Sequence, residues 1–138
     1  MIRPLCYNPL VSNTHTIDIR VRYCECDPMG LVHHTVYPVW FEMGRTEMLR
    51  ARGGSYAQME ADGLFLVVTR LELRYRKPAR YDELLTLETT LHDVGHVKIE
   101  HAYRLRRGHD ELVVGETTLA CIDRSGKVQP VPPQIGTP

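Results

Sequence analysis

The chain has 138 residues, 43% of them hydrophobic and 25% charged, with Lys plus Arg and Asp plus Glu at 17 each. This length suits one domain with one core, burying about two-thirds of its extended surface. A formal net charge of zero offers no polyanion-binding surface, which sets aside a nucleic-acid or acidic-membrane role and leaves any phosphate contact local.

The N-terminal stretch shows no basic region followed by an apolar leader core, and no run is long enough to cross a bilayer. The sequence therefore predicts a cytoplasmic protein without a membrane span. Cys6, Cys24, Cys26 and Cys121 are an even set. The chain is nevertheless neither short nor dense in cysteine, so free thiols are expected rather than disulfides.

In chain order, Ile17, Ile19, Val21 and Tyr23 alternate with Asp18, Arg20 and Arg22, the period of a half-buried strand. The strand feeds the run Tyr23-Cys24-Glu25-Cys26-Asp27-Pro28-Met29-Gly30. Its last four residues place Asp, Pro and Gly at the first, second and fourth positions of a type I turn. Thr35 is placed to cap a helix from about 36 to 52, with Tyr37, Trp40, Phe41, Gly44, Met48 and Ala51 on one face. Val36, Val39, Met43 and Leu49 extend the apolar surface and leave a narrow polar arc at Glu42, Arg45, Thr46 and Arg50, which predicts a mostly buried helix. Gly53-Gly54 ends it, and Ser55 and Gly63 bracket a second, short helix over 56–62.

Four strands follow, at 64–76, 84–92, 96–107 and 111–123, separated by Pro78, Gly95 and Gly108. Leu71, Leu73 and Tyr75 alternate with Arg70, Glu72, Arg74 and Arg76; Val97, Ile99, His101, Tyr103 and Leu105 alternate with Lys98, Glu100, Arg104 and Arg106. One sheet face is then apolar and the other wet. A strand, one long helix and an antiparallel meander predict an α+β fold with the sheet wrapped around the helix. The tail from 129, with Pro at 130, 132, 133 and 138, reads as an extended finishing segment.

Asp27 lies directly upstream of the long helix's start. There, unsatisfied backbone N–H groups and the helix dipole can polarise a carbonyl while the carboxylate attacks it or activates water. The plainer reading is that Asp27 serves only the turn. A serine triad of the hydrolase type lacks its Gly-x-Ser-x-Gly elbow. Cys24 or Cys26 with His33 or His34 would give a thiol and imidazole pair, and the four together have zinc-ligand chemistry, but their spacing fits no two-knuckle pattern.

Tyr23, Asp27, Gly30, His34, Tyr37, Phe41, Glu42, Arg45, Glu47, Leu49 and Arg50 together resemble the signature of the hotdog-fold thioesterases of the 4-hydroxybenzoyl-CoA thioesterase type. The nearest group is the bacterial acyl-CoA thioesterases associated with the Tol-Pal cluster. The dense match spans about residues 17–53, and a looser one in strand spacing continues to the Pro-rich tail. The resemblance implies a single hotdog domain over 1–138 that hydrolyses an acyl-CoA thioester to a carboxylate and free coenzyme A. Asp27 would be its nucleophile or general base and the His34 backbone N–H its oxyanion donor. Gly30, Tyr37, Val67, Val68 and Thr69 would border the substrate, and no metal or cofactor is implied. It also implies a homodimer with joined sheets and the site between protomers, with dimers pairing into a homotetramer; acyl carrier protein is an alternative carrier of the acyl group.

Two positions depart from that pattern. Val36 stands where a small polar residue is usual, and Gly44 replaces a usual Ala, opening room in mid-helix for another backbone or an acyl chain. Within the enzyme class, Glu42 is a second carboxylate candidate, with an ion pair to Arg45 as the plainer explanation. Outside it, the alternative is a non-catalytic hotdog module that binds acyl-CoA or acyl carrier protein. Arg70, Arg74, Arg76, Lys77 and Arg80 are candidates for the coenzyme A phosphates, set against a solvated strand face neutralised by nearby acids.

Overall fold

The computed structural model describes residues 13–136. Cys6 and the last two residues of the tail lie outside them. Strand β1 (Thr14–Arg20) leads through a 3₁₀ turn (Tyr23–Glu25) to helix α1 (Val36–Ala51) and the short α2 (Tyr56–Ala61); β2 (Leu64–Tyr75), β3 (Leu84–Val94), β4 (Lys98–Arg107), β5 (Asp110–Asp123) and a terminal turn of helix α3 (Pro133–Gly136) follow. The five strands form one sheet in the order β1-β3-β4-β5-β2, every pair antiparallel. This is the expected hotdog arrangement, with α1 packed on one face of the sheet.

Helix α1 ends as the two glycines require. Gly53 takes φ +83 and donates to Arg50 O at 2.9 Å, while Gly54 donates to Leu49 O at 2.9 Å, the paired bonds of a Schellman cap. Thr35 stands at the N-cap position but makes no side-chain cap; its hydroxyl meets His33 Nδ1 at 2.7 Å instead. Ser55 does cap α2, accepting from Gln58 N–H at 3.2 Å.

The core has two parts. Under the first half of α1, Tyr37, Trp40 and Phe41 pack on Ile19, Leu85, Leu105 and Val113. Under its end, Leu49 joins Met59, Ile99, Leu119 and Ile135. Ile135 corrects the expectation for the tail: residues 133–136 turn into a helix rather than staying extended, because Pro133 suits a first helical position and Ile135 has a hydrophobic socket to fill.

Helix α1 is also less buried than its composition predicts. Arg45 and Leu49 are inside, Ala51 is exposed, and Val39 and Met43 are 53% and 43% exposed. The chain's own sheet covers one side of the helix and leaves an apolar stripe on the other. The inner residues of β2 share that exposure: Val68, Leu71 and Tyr75 are 50%, 42% and 52% exposed, since β2 is an edge strand. Gly44 faces the sheet; a Cβ there would overlap Thr89 Oγ1 and lie 2.8 Å from Leu87 Cδ2, so the space serves helix–sheet contact and not an acyl chain.

Candidate active site

The 3₁₀ turn and the chain returning to α1 form a tight hairpin. Asp27 N–H donates to Leu31 O at 2.7 Å, Cys26 bridges Val32, and His33 N–H donates to Glu25 O at 2.9 Å. At the tip, Gly30 N–H closes on Asp27 O at 2.9 Å and Gly30 itself takes φ +78, so the Asp-Pro-x-Gly turn is present and its glycine occupies the left-handed region. Val32 N–H donates to Ala79 O at 2.9 Å, which fastens the hairpin to the segment after β2.

The half-buried Asp27 carboxylate is oriented by this turn. Its Oδ1 accepts from Met29 N–H at 2.9 Å and Leu31 N–H at 3.1 Å, whereas Oδ2 has no partner among the described residues. One oxygen fixes the rotamer and the other is available. The turn and the catalytic readings of Asp27 are therefore compatible, because they use different oxygens.

His34 sits between the hairpin and α1. Its backbone N–H has no acceptor among the described residues, and its carbonyl accepts from Tyr75 Oη at 2.8 Å. The exposed imidazole lies against that of His33 with centroids 4.2 Å apart and the ring planes tilted by 32°. Tyr37 is 3% exposed and lies edge-on to both Trp40 and Tyr75, at 5.3 and 5.5 Å. Burial raises its phenol pKa, with the Ala79 backbone opposing. In the single chain it stands behind Tyr75.

Val67, Val68 and Thr69 lie on the free edge of the sheet, where the register shifts between Val68 and Arg70. Thr69 is the extra residue of this bulge, and its hydroxyl donates to Thr118 O at 3.2 Å. Among the described residues, none of the remaining candidates bonds the Asp27 carboxylate. Glu42, 69% exposed, faces Arg45 at 3.6 Å. Cys24, Cys26 and Cys121 are free thiols, and among the described residues no three His, Cys, Asp or Glu side chains converge to hold a metal ion.

The basic stretch of β2 points away from α1. Arg70 pairs with Glu72 and with Glu116 at 3.4 Å, Arg76 meets Glu111 at 3.4 Å, and Lys77 meets Asp110 at 2.7 Å. A depression of about 300 Å³ lies among Arg74, Arg76, Arg104, Val114 and Glu116 on that outer face, on the other side of the sheet from α1.

Three buried polar groups were not legible as such. Glu25 is 6% exposed and bonds Trp40 Nε1 at 2.8 Å. Arg45 and His101 are 9% and 5% exposed beneath α1. The signal for Glu25 was its spacing of three from Arg22, whose N–H it caps at 2.8 Å, together with a helical Trp that needs an acceptor.

Comparison with known proteins gives the family. Residues 21–137 match the model of the thioesterase-like superfamily. The acyl-CoA thioesterase YbgC of Haemophilus influenzae is 33% identical over 123 residues, covering 88% of this chain and 90% of that one; the acyl-CoA thioester hydrolase YbgC of Escherichia coli O157:H7 is 29% identical over 76% and 79%. Among solved structures, the hypothetical protein TT1821 from Thermus thermophilus superposes with TM-score 0.83 and 34% identity over 89% of this chain and 92% of that one. DHNA-CoA thioesterase from Staphylococcus aureus does so with TM-score 0.81 and 29% identity over 87% and 80%. The chain belongs to the thioesterase-like superfamily and shares the hotdog fold of its thioester hydrolases.

Proposed function

We propose that the protein hydrolyses acyl-CoA thioesters, with Asp27 as the reacting carboxylate and the His34 backbone N–H as oxyanion donor. The observation that carries the proposal is the division of labour at Asp27: Oδ1 is held by two backbone amides, while among the described residues Oδ2 has no partner, in a hairpin that runs directly into the His34 amide, which likewise has no acceptor among them. In one route Oδ2 attacks the thioester carbon, the C–S bond breaks, coenzyme A leaves as the thiolate, and water cleaves the resulting anhydride to a carboxylate. In the other, Asp27 removes a proton from water, which attacks directly. Both place negative charge on the carbonyl oxygen, where a backbone N–H stabilises it.

Gly30, Tyr37, Val67, Val68 and Thr69 border the substrate in this proposal. The free β2 edge, its apolar residues Val68 and Leu71 and the Val39–Met43 stripe support a dimer in which a second copy covers them and completes the pocket, with pairing into a tetramer. The proposal extends to the 4-hydroxybenzoyl-CoA thioesterase type and its Tol-Pal-associated group, to a cytoplasmic location and to acyl carrier protein as an alternative acyl donor; the names of the YbgC relatives support the acyl-CoA substrate. The test is release of free thiol from acetyl-, hexanoyl-, palmitoyl- and benzoyl-CoA. Hydrolysis of at least one supports the proposal; tight binding without hydrolysis of any points to the non-catalytic module.

A further inference from the structure

Two residues before Asp27, Glu25 buries a carboxylate that the proposed chemistry does not use. Its Oε1 accepts from Arg22 N–H at 2.8 Å and lies 3.3 Å from Arg22 Nε. Its Oε2 accepts from Trp40 Nε1 at 2.8 Å and from Arg22 Nη2 at 3.4 Å. Its carbonyl accepts from His33 N–H at 2.9 Å, the residue before His34. Trp40 is 1% exposed in the second turn of α1. One residue thus joins the 3₁₀ turn, the returning arm of the hairpin and the helix.

A buried carboxylate is a poor source of stability. An apolar side chain of similar volume is often neutral or better in the same place, whereas a fully bonded buried ion fixes one geometry. Burial works against charge on Glu25, yet the Arg22 amide and guanidinium and the Trp40 N–H outweigh it and hold the carboxyl below its ordinary range. The group is an anion at neutral pH, and what it fixes is the segment that carries both Asp27 and His34.

We infer that Glu25 is a positioning residue, a buried anion that locks the Asp27 hairpin to α1 through Trp40 and so sets the Asp27 carboxylate against the start of the helix. The inference rests on the assignment of Asp27 as the reacting group. Misplacement by about 1 Å costs catalysis about 100-fold, while contacts made elsewhere along the substrate persist. Loss of the lock therefore lowers kcat and spares KM.

The experiment compares Glu25→Gln, Glu25→Leu, Trp40→Phe and the Glu25→Gln/Trp40→Phe pair with wild type and Asp27→Asn, on whichever of the four acyl-CoA esters wild type turns over fastest. The expected kcat loss is about tenfold for Glu25→Gln and about 100-fold for Glu25→Leu, with KM within about threefold. The double variant should be no slower than the slower of its two single variants, since both break one bond. Trp40 is the only tryptophan, and its emission should move to shorter wavelength in both Glu25 variants as the anion leaves the indole N–H. Glu25→Gln and Trp40→Phe decide the question even where Glu25→Leu does not fold. If both keep kcat within about threefold of wild type while Asp27→Asn is inactive, the positioning role is wrong and the Asp27 assignment stands. If Asp27→Asn is as active as wild type, the assignment beneath it fails instead.

Discussion

The hydroxyl of Tyr75, on the edge strand, donates to the carbonyl of His34 at 2.8 Å, so β2 holds the residue whose N–H is the proposed oxyanion donor. Tyr75→Phe removes this bond and keeps the ring against Tyr37. A hydrogen bond of this kind is worth about 1 kcal/mol net to folding, so the melting temperature should fall by about 3–5 °C, and the loosened His34 amide should lower kcat by about fivefold. Steady-state kinetics beside a thermal melt checks both.

Gly44 faces Thr89 and Leu87 of β3 at close range. Alanine gains about 1 kcal/mol in helix propensity, but its Cβ would overlap Thr89 Oγ1 and press on Leu87. Overpacking costs about 1–3 kcal/mol, so Gly44→Ala should be destabilising on balance, read as a lower urea midpoint with an unchanged slope.

Burial and then the nearby Arg45 and Arg52 charges lower the His101 pKa from 6.5 to about 3. Between those values the unfolded chain binds a proton that the folded chain does not, so stability is full above pH 6.5 and falls as the pH drops towards 3. The loss should reach about 1–2 kcal/mol by pH 5. His101→Phe removes the titrating group and should flatten the acid limb of stability against pH, measured by urea unfolding at pH 7 and pH 5.

The exposed inner residues of β2 predict assembly. Wild type should scatter light as at least twice the 15.9 kDa chain mass, and Leu71→Lys, which puts a charge on the free edge, should shift it to the single-chain mass with loss of turnover. A wild-type protein that is monomeric and fully active would rule out a site completed by a second copy.

Carboxylate and amide suffice for the proposed reaction, so a chelator should leave turnover unchanged, as should the Cys24→Ala/Cys26→Ala pair. Loss with chelator that zinc restores would return attention to Cys24, Cys26, His33 and His34.

Much of this fold is written locally. Alternation set β4, the Gly53-Gly54 pair ended α1, and Ser55 capped α2, each through contacts within a few residues. What escaped is non-local. Glu25 and Trp40 are fifteen residues apart, and only the closed hairpin makes one the acceptor of the other. His101 follows the apolar period of β4 and was counted with its apolar face; nothing in that period distinguishes a buried histidine from a leucine. Ala51 and Arg45 exchanged their expected places because the face of α1 is set by where the sheet lies, not by hydropathy around the helix. At the hairpin, the turn from Asp27 to Gly30 was legible from spacing, but the bonding of only one of the two Asp27 carboxylate oxygens within it was not.

The most direct measurement is the turnover of Asp27→Asn on the best acyl-CoA substrate. Asparagine keeps an Oδ1 that accepts from Met29 and Leu31, so the hairpin and the fold should survive, as circular dichroism and the melting temperature would show. It has no anionic oxygen to attack the thioester or activate water, so kcat should fall by at least ~100-fold with a smaller change in KM. A folded Asp27→Asn protein turning over at the wild-type rate would contradict the account: Asp27 would then be a turn residue only, and Glu42 the next carboxylate to test.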